Sequence, residues 1–289
     1  MQKIKEVLAE SYQNAIRKHF NEYNDNIAIK LNKLSPDNKE AVLNKFLDQY
    51  ETDKVEIERK WSNAPLEGLN GKTPAEVIQS IEKLEDVFEI FIYMSGHTDE
   101  EVPFLLVDKL NSFGQRAISL LLEFVNSRKQ SEGHEEYEFL EAVSAIGMIG
   151  MDESINPLIQ LAYDMQDNEP MLEHIEEALK NVGAGIIQPV LERLETSKFG
   201  KVEKMLLYVL ASVGSMAKED RIYLKLRDAF REMEEKIPAV ICLSVYGDGR
   251  AVPMLRGFLK KYTGILSGDL FYEIIGSIRN LGGETEEFM

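Results

Sequence analysis

The side chains of this sequence whose types suit chemistry are four histidines, one cysteine and an abundance of carboxylates. A metal site needs three or four convergent ligands. Of His19, His97, His134 and His174, only His134 is followed by a glutamate, Glu135, while His174 precedes Ile175. These spacings gather no ligand set, so solvated polar residues are expected, with no metal, cofactor or catalytic residue. Cys242 lies in an apolar run, Val240-Ile241-Cys242-Leu243. It reads as a buried structural thiol, because a nucleophilic thiolate needs an exposed, electropositive setting. A single cysteine also excludes an internal disulfide framework and a Cys-rich zinc site, and it fits a reducing cytoplasm. An acid–base pair of carboxylates needs a shared dry pocket. Glu135, Glu136, Glu138 and Glu141 read instead as a solvated helix face, as do Glu173, Glu176 and Glu177. Gly71-Lys72-Thr73 ends like a phosphate loop, but Leu66 stands where that spacing requires glycine, and no strand pattern precedes it.

The elements that must position these side chains are helices, and they repeat. Six apolar helical segments close on a glycine: 102–114, 139–150, 175–183, 205–214, 238–247 and 271–282. Successive closing glycines are 36, 33, 31, 33 and 35 residues apart. Each segment carries a small residue and then aliphatic ones, as in Ala178-Leu179 before Val182-Gly183 and Cys242-Leu243 before Gly247. The small residue admits a neighbouring helix and the aliphatic residues form the buried stripe. The glycine is expected to take the left-handed conformation that ends a helix. A second apolar helix follows each turn, over 117–125, 157–165, 187–194, 222–230 and 252–259. Pro157, Pro189 and Pro253 stand near three of the starts, where a missing N–H costs little. No such pair buries its stripe alone, so the pairs must stack.

The run Glu141-Ala142-Val143-Ser144-Ala145-Ile146-Gly147-Met148-Ile149-Gly150 and its counterparts resemble the HEAT-repeat superfamily. The likeness is to the short bacterial HEAT-like repeats first named from phycobilisome lyases, and it spans residues 98–289. It implies an all-α fold, a right-handed, armadillo-like α-α superhelix of about five and a half pairs with a helical N-terminal cap. Members of the superfamily are mostly interaction scaffolds, with a minority of enzymes. The usual aspartate after the glycine is present as Asp152 and Asp248, but Ala184 and Ser215 follow Gly183 and Gly214. A HEAT-type di-iron hydroxylase would repeat His-Glu pairs at one position of several units, and here His134-Glu135 is the single such pair. A HEAT-like DNA glycosylase would need a basic inner surface. Residues 96–289 carry 33 acidic and 20 basic side chains.

Residues 1–95 are helical without keeping the period, which divides the chain into an N-terminal region, 1–95, and a repeat array, 96–289. A long helix pattern covers 1–32. Ser35-Pro36 starts a second, and Thr73-Pro74-Ala75-Glu76 is a capping box. That box is expected to open one helix whose apolar seam is Val77, Ile81, Leu84, Phe88 and Phe91. Thr98-Asp99-Glu100-Glu101 is a second box, before the first repeat. The segment 61–72 reads as a loop. Its only tryptophan, Trp61, either anchors a partner or packs onto the next helix.

The net charge of −17 argues against nucleic acid and anionic lipid as partners. No apolar stretch approaches the ~18 residues of a membrane span, and the N-terminus lacks the apolar core of a signal peptide. The basic residues concentrate in the second helices of the fourth and fifth pairs. The resemblance places such helices on the concave side. Arg221, Lys225, Arg227, Arg250, Arg256 and Lys260 would then line a groove for an acidic peptide or protein, unless they pair with neighbouring carboxylates such as Glu219, Asp220 and Asp228. The expectation is therefore a cytoplasmic, non-catalytic protein–protein interaction scaffold. The alternatives are a lyase-associated accessory holding a small ligand in the concave groove, and nucleic-acid binding through the basic stripe. The array is expected to stop after the first helix of its last repeat, with a frayed tail over 284–289.

Overall fold

The computed structural model describes residues 1–31, 36–98, 101–129, 134–196, 198–262 and 264–288. Within its helices the side chains of 20, 22–44, 46–48, 51, 134–136 and 196 are outside that description. The cap assigned to Ser35, the Asp99-Glu100 part of the second capping box, and the side chains of His134, Glu135 and Glu136 therefore lie outside the described residues. The described chain is all-α and contains no strand. It divides into two compact units, Met1–Ala142 and Val143–Met289. The first thus includes the first repeat pair as well as the N-terminal region.

The first unit contains α1 (Gln2–Leu31), α2 (Pro36–Ser62), α3 (Pro74–Gln79), α4 (Leu84–Ser95), α5 (Phe104–Asn111) and α6 (Gln115–Ser127). Helix α7 (His134–Ile149) runs from it into the second. The Thr73 box forms as expected: Thr73 Oγ1 accepts from Glu76 N at 3.1 Å, and Glu76 Oε2 accepts from Thr73 N at 2.8 Å. The helix it opens is shorter than expected. It ends at Gln79, where Ser80 Oγ turns back to donate to Val77 O at 2.7 Å, and α4 begins afresh at Leu84. The apolar seam survives the break, since Val77, Ile81, Leu84 and Phe91 are all buried.

The second unit continues with α8 (Ile155–Asp164), α9 (Glu169–Val182), α10 (Ile187–Thr196), α11 (Lys201–Met216), α12 (Asp220–Glu232), α13 (Ile237–Tyr246), α14 (Val252–Tyr262) and α15 (Gly268–Asn280). The even-numbered helices, α8, α10, α12 and α14, each pack on the odd-numbered helix that follows, and α9, α11, α13 and α15 pack side by side. This is an α-α solenoid of neighbouring pairs, but α10, α12 and α14 pack more on the helix that follows than on the one before, so the pairing is shifted by one helix from that expected across each glycine turn. Five of the six closing glycines have positive φ: Gly114, Gly150, Gly183, Gly247 and Gly282. Gly214 differs. Helix α11 runs through it to Met216, and a Cβ there would lie 2.8 Å from Ile222 Cδ1 and 3.2 Å from Tyr246 Cε2. Its role is close packing of helices, not termination.

Among its described residues, 284–288, the tail is folded and not frayed. Thr285 is buried and accepts from Arg279 Nε at 2.9 Å, and residues 286–288 form a 3₁₀ turn.

Candidate functional site

Each basic residue assigned to the groove has a partner inside the second unit. Arg221 Nε lies 2.6 Å from Glu219 Oε2, and its guanidinium also reaches Gln188 in the preceding pair. Lys225 donates to Leu194 O and sits 5.6 Å from the centre of the Phe199 ring. Arg227 Nε and Nη2 hold Asp228 Oδ1 at 3.0 and 2.9 Å. Arg250 Nη2 binds Asp248 Oδ2 and its Nη1 binds Asp220 Oδ1, both at 2.7 Å. The Arg250 guanidinium also lies 4.3 Å over the Tyr223 ring. Arg256 and Lys260 converge on Glu287 at 2.6 and 3.1 Å. These pairs lower the Asp248 and Glu287 carboxyls below the usual carboxylate range, through the hydrogen bonds from Arg250 and Arg256 respectively.

The spacing of these bonds is informative. Arg221–Gln188, Lys225–Leu194, Arg250–Asp220 and Arg256–Glu287 span 33, 31, 30 and 31 residues. That is one repeat. The buried Tyr246 hydroxyl donates to Glu219 O at 2.9 Å and accepts from Glu219 N at 2.8 Å, and Tyr223 donates to Arg250 O at 2.9 Å. Arg221, Lys225, Arg250 and Arg256 therefore link positions one repeat apart, while Arg227 pairs with its neighbour on the same helix.

Trp61 requires a correction. It lies in the last turn of α2, 5% exposed, 5.0 Å from the Tyr12 ring, and its Nε1 donates to Ser11 Oγ at 2.9 Å. Both ring and N–H are spent on α1, so Trp61 is a core residue and not a partner contact. The following turn packs the same way: a Cβ on Gly68 would meet the Val7 side chain at 2.8 Å. Trp61 and this turn pack onto a helix earlier in the chain, not onto the next one.

Cys242 is 1% exposed and burial pushes its thiol up to about 12, far from a nucleophile's range. Among the described residues no three metal-ligating side chains converge. Two groups that the sequence reading missed lie in the first unit. One is a carboxylate cluster under the chain entering α5. Glu58 Oε1 accepts from Leu105 N at 3.2 Å, capping a helix whose N-cap, Pro103, offers no side-chain acceptor. Glu141 Oε2 accepts from Val102 N at 3.1 Å, and Lys54 binds Glu101 at 3.1 Å. Burial raises the Glu58 carboxyl and pushes that of Glu141 up to about 7. Glu141 thus does not belong to a solvated face. The signal available was its place beside the stripe Phe139, Ala142, Val143 and Ile146.

The other is a cleft of about 380 Å³ where Phe88, Ile92 and Tyr93 of α4 meet Phe124 of α6, edged by Glu85, Glu89, Glu138 and Lys5. Phe88 and Phe124 form an edge-to-face pair with centroids 5.6 Å apart. A second hollow of about 400 Å³, lined by Glu85, Arg116, Leu120 and Glu123, shares Glu85 with it.

No protein-family model matches the chain, and no curated protein matches it.

Proposed function

We propose that this protein is a non-catalytic protein–protein interaction scaffold built on HEAT-like repeats and working in the cytoplasm. The observation that supports it most is the set of side-chain bonds spanning one repeat, from Arg221 to Gln188 and from Arg250 to Asp220. They hold successive helix pairs in fixed register, so the array offers a preorganised surface, and preorganisation lowers the entropic cost of binding a partner. The buried, weakly acidic Cys242 thiol fits the same reading. No helix among the described residues is long and apolar enough to cross a membrane.

The test is affinity capture by the tagged full-length protein from its source cell, followed by reconstitution from purified components. A stoichiometric protein partner is expected. Hydrogen exchange should show it protecting the surface of Val143–Met289. Reproducible absence of any retained protein after cross-linking would overturn the scaffold reading.

A further inference from the structure

We propose that the trough between α4 and α6 is a docking site for a basic, amphipathic helical segment of a partner protein. The proposal rests on the scaffold reading and adds a second binding surface, lined by residues of the first unit.

The floor of the trough is apolar and periodic. Leu84, Phe88 and Ile92 follow one another at steps of four on α4, and Leu120 and Phe124 do so on α6. Leu84 is buried, and the other four are half-buried, with one side turned to the opening. Rows at this spacing are what the apolar face of an incoming helix meets. The two hollows share Glu85 and both draw lining residues from α4 and α6.

The walls are acidic. Glu85, Glu89, Glu123 and Glu138 line the two hollows, against Lys5 and Arg116. Lys5 is already bound to Glu89, and Arg116 meets Glu85 only at 3.9 Å between exposed ends. Aromatic ring faces attract cations. The chain's own cations show this preference here: Lys5 lies 4.9 Å over Tyr93, and Arg128 lies 5.5 Å over Phe124. An apolar floor edged by carboxylates complements a segment with aliphatic side chains on one face and Lys or Arg flanking them. A small polyamine would satisfy the walls and leave the floor unmatched.

The test uses full-length protein and a fluorescein-labelled Leu/Lys amphipathic peptide of about 16 residues, long enough for four helical turns. A Leu/Glu peptide and spermine serve as comparison probes. Anisotropy should show binding of the Lys peptide and none of the Glu peptide. Glu123→Lys with Glu138→Lys should weaken it by about ten-fold or more, as should Phe88→Ala with Phe124→Ala. Glu173→Lys with Glu234→Lys, exposed residues of the repeat array, makes the same charge change and should leave affinity within about two-fold. The wall variant keeps the test valid if the floor variant fails to fold. Three outcomes would overturn the groove: no binding of the Lys peptide, equal weakening by the array variant, or complete displacement by spermine with affinity untouched in the floor variant. Each leaves the scaffold reading to its own capture experiment.

Discussion

Glu141 is held in two opposing ways. Its carboxylate accepts the Val102 N–H, which favours the charged form, while burial and the neighbouring Glu101 favour the neutral one. Lys54, which faces the same cluster, offsets only part of this. Burial wins, and the group titrates near 7 against the ~4.3 of an exposed glutamate. A folded-state value raised in this way stabilises the native protein below the unfolded value. That contribution is lost as pH climbs from about 4.3 to about 7, and the loss is complete above. Glu141→Gln mimics the neutral form and keeps an acceptor for Val102. Its stability relative to the parent should therefore rise across that window, reaching on the order of 1–3 kcal/mol at pH 8. Urea melts of both proteins between pH 5 and 8 decide the matter, and a pH-independent difference would show that Glu141 is not the titrating group. The sequence concealed this role because Glu135, Glu136, Glu138 and Glu141 look alike in one dimension. Only the packing of the chain entering α5 against α7 distinguishes the last of them. For Cys242 the reverse holds: its apolar neighbours in the sequence already implied the buried thiol that the structure contains.

At the scale of elements, the helices were legible because their signals are local, while their partners were not. A glycine of positive φ follows most of the closing segments, and prolines fit the first turn, so most of the helices from α5 to α15 follow from punctuation, α11 excepted. Two further features were not legible. The break between α3 and α4 falls between Gln79 and Leu84, where no glycine or proline stands to announce it. Gly214 resembles a terminator, yet it is a contact residue whose meaning lies in Ile222 and Tyr246 on other helices. Helical glycines in this protein therefore divide by what surrounds them. A Cβ on Gly147 would lie 2.5 Å from Ala178 Cα and 2.8 Å from Ala178 Cβ, so α7 and α9 would have to separate. On α15, a Cβ at Gly276 would meet nothing within 4 Å. The same substitution should act with opposite signs. Gly147→Ala is expected to cost about 1–3 kcal/mol through overpacking, whereas Gly276→Ala should stabilise by up to about 1 kcal/mol through helix propensity. Thermal melts of the two variants measure this directly. A stable Gly147→Ala protein would mean that the α7–α9 approach is looser than described.

At the scale of the whole array, the clamps and the stack make a statement about cooperativity. In a solenoid each pair is stabilised by its neighbours, so an interior helix opens only when both sides let go. Helix α11 packs against α9, α10, α12 and α13, while α15 packs against α13 and α14. The last pair is further secured by Glu287, which gathers Arg256 and Lys260, but these pairs are exposed and such pairs are individually weak. Protection from hydrogen exchange should therefore be greatest along α11 and α13 and lower in α15, by at least about ten-fold at the most protected amides. The basic residues bear on the same measurement. If Arg250 clamps α12 to the turn before α14, then Arg250→Ala should lower protection at both Tyr223 and Ala251, one repeat apart, and leave Ile175 unchanged. Were Arg250 instead a free partner contact, its removal would alter binding and leave exchange throughout the array as it was. Uniform exchange from α9 to α15 would mean that the second unit opens as a single block, with no graded stack for the clamps to reinforce.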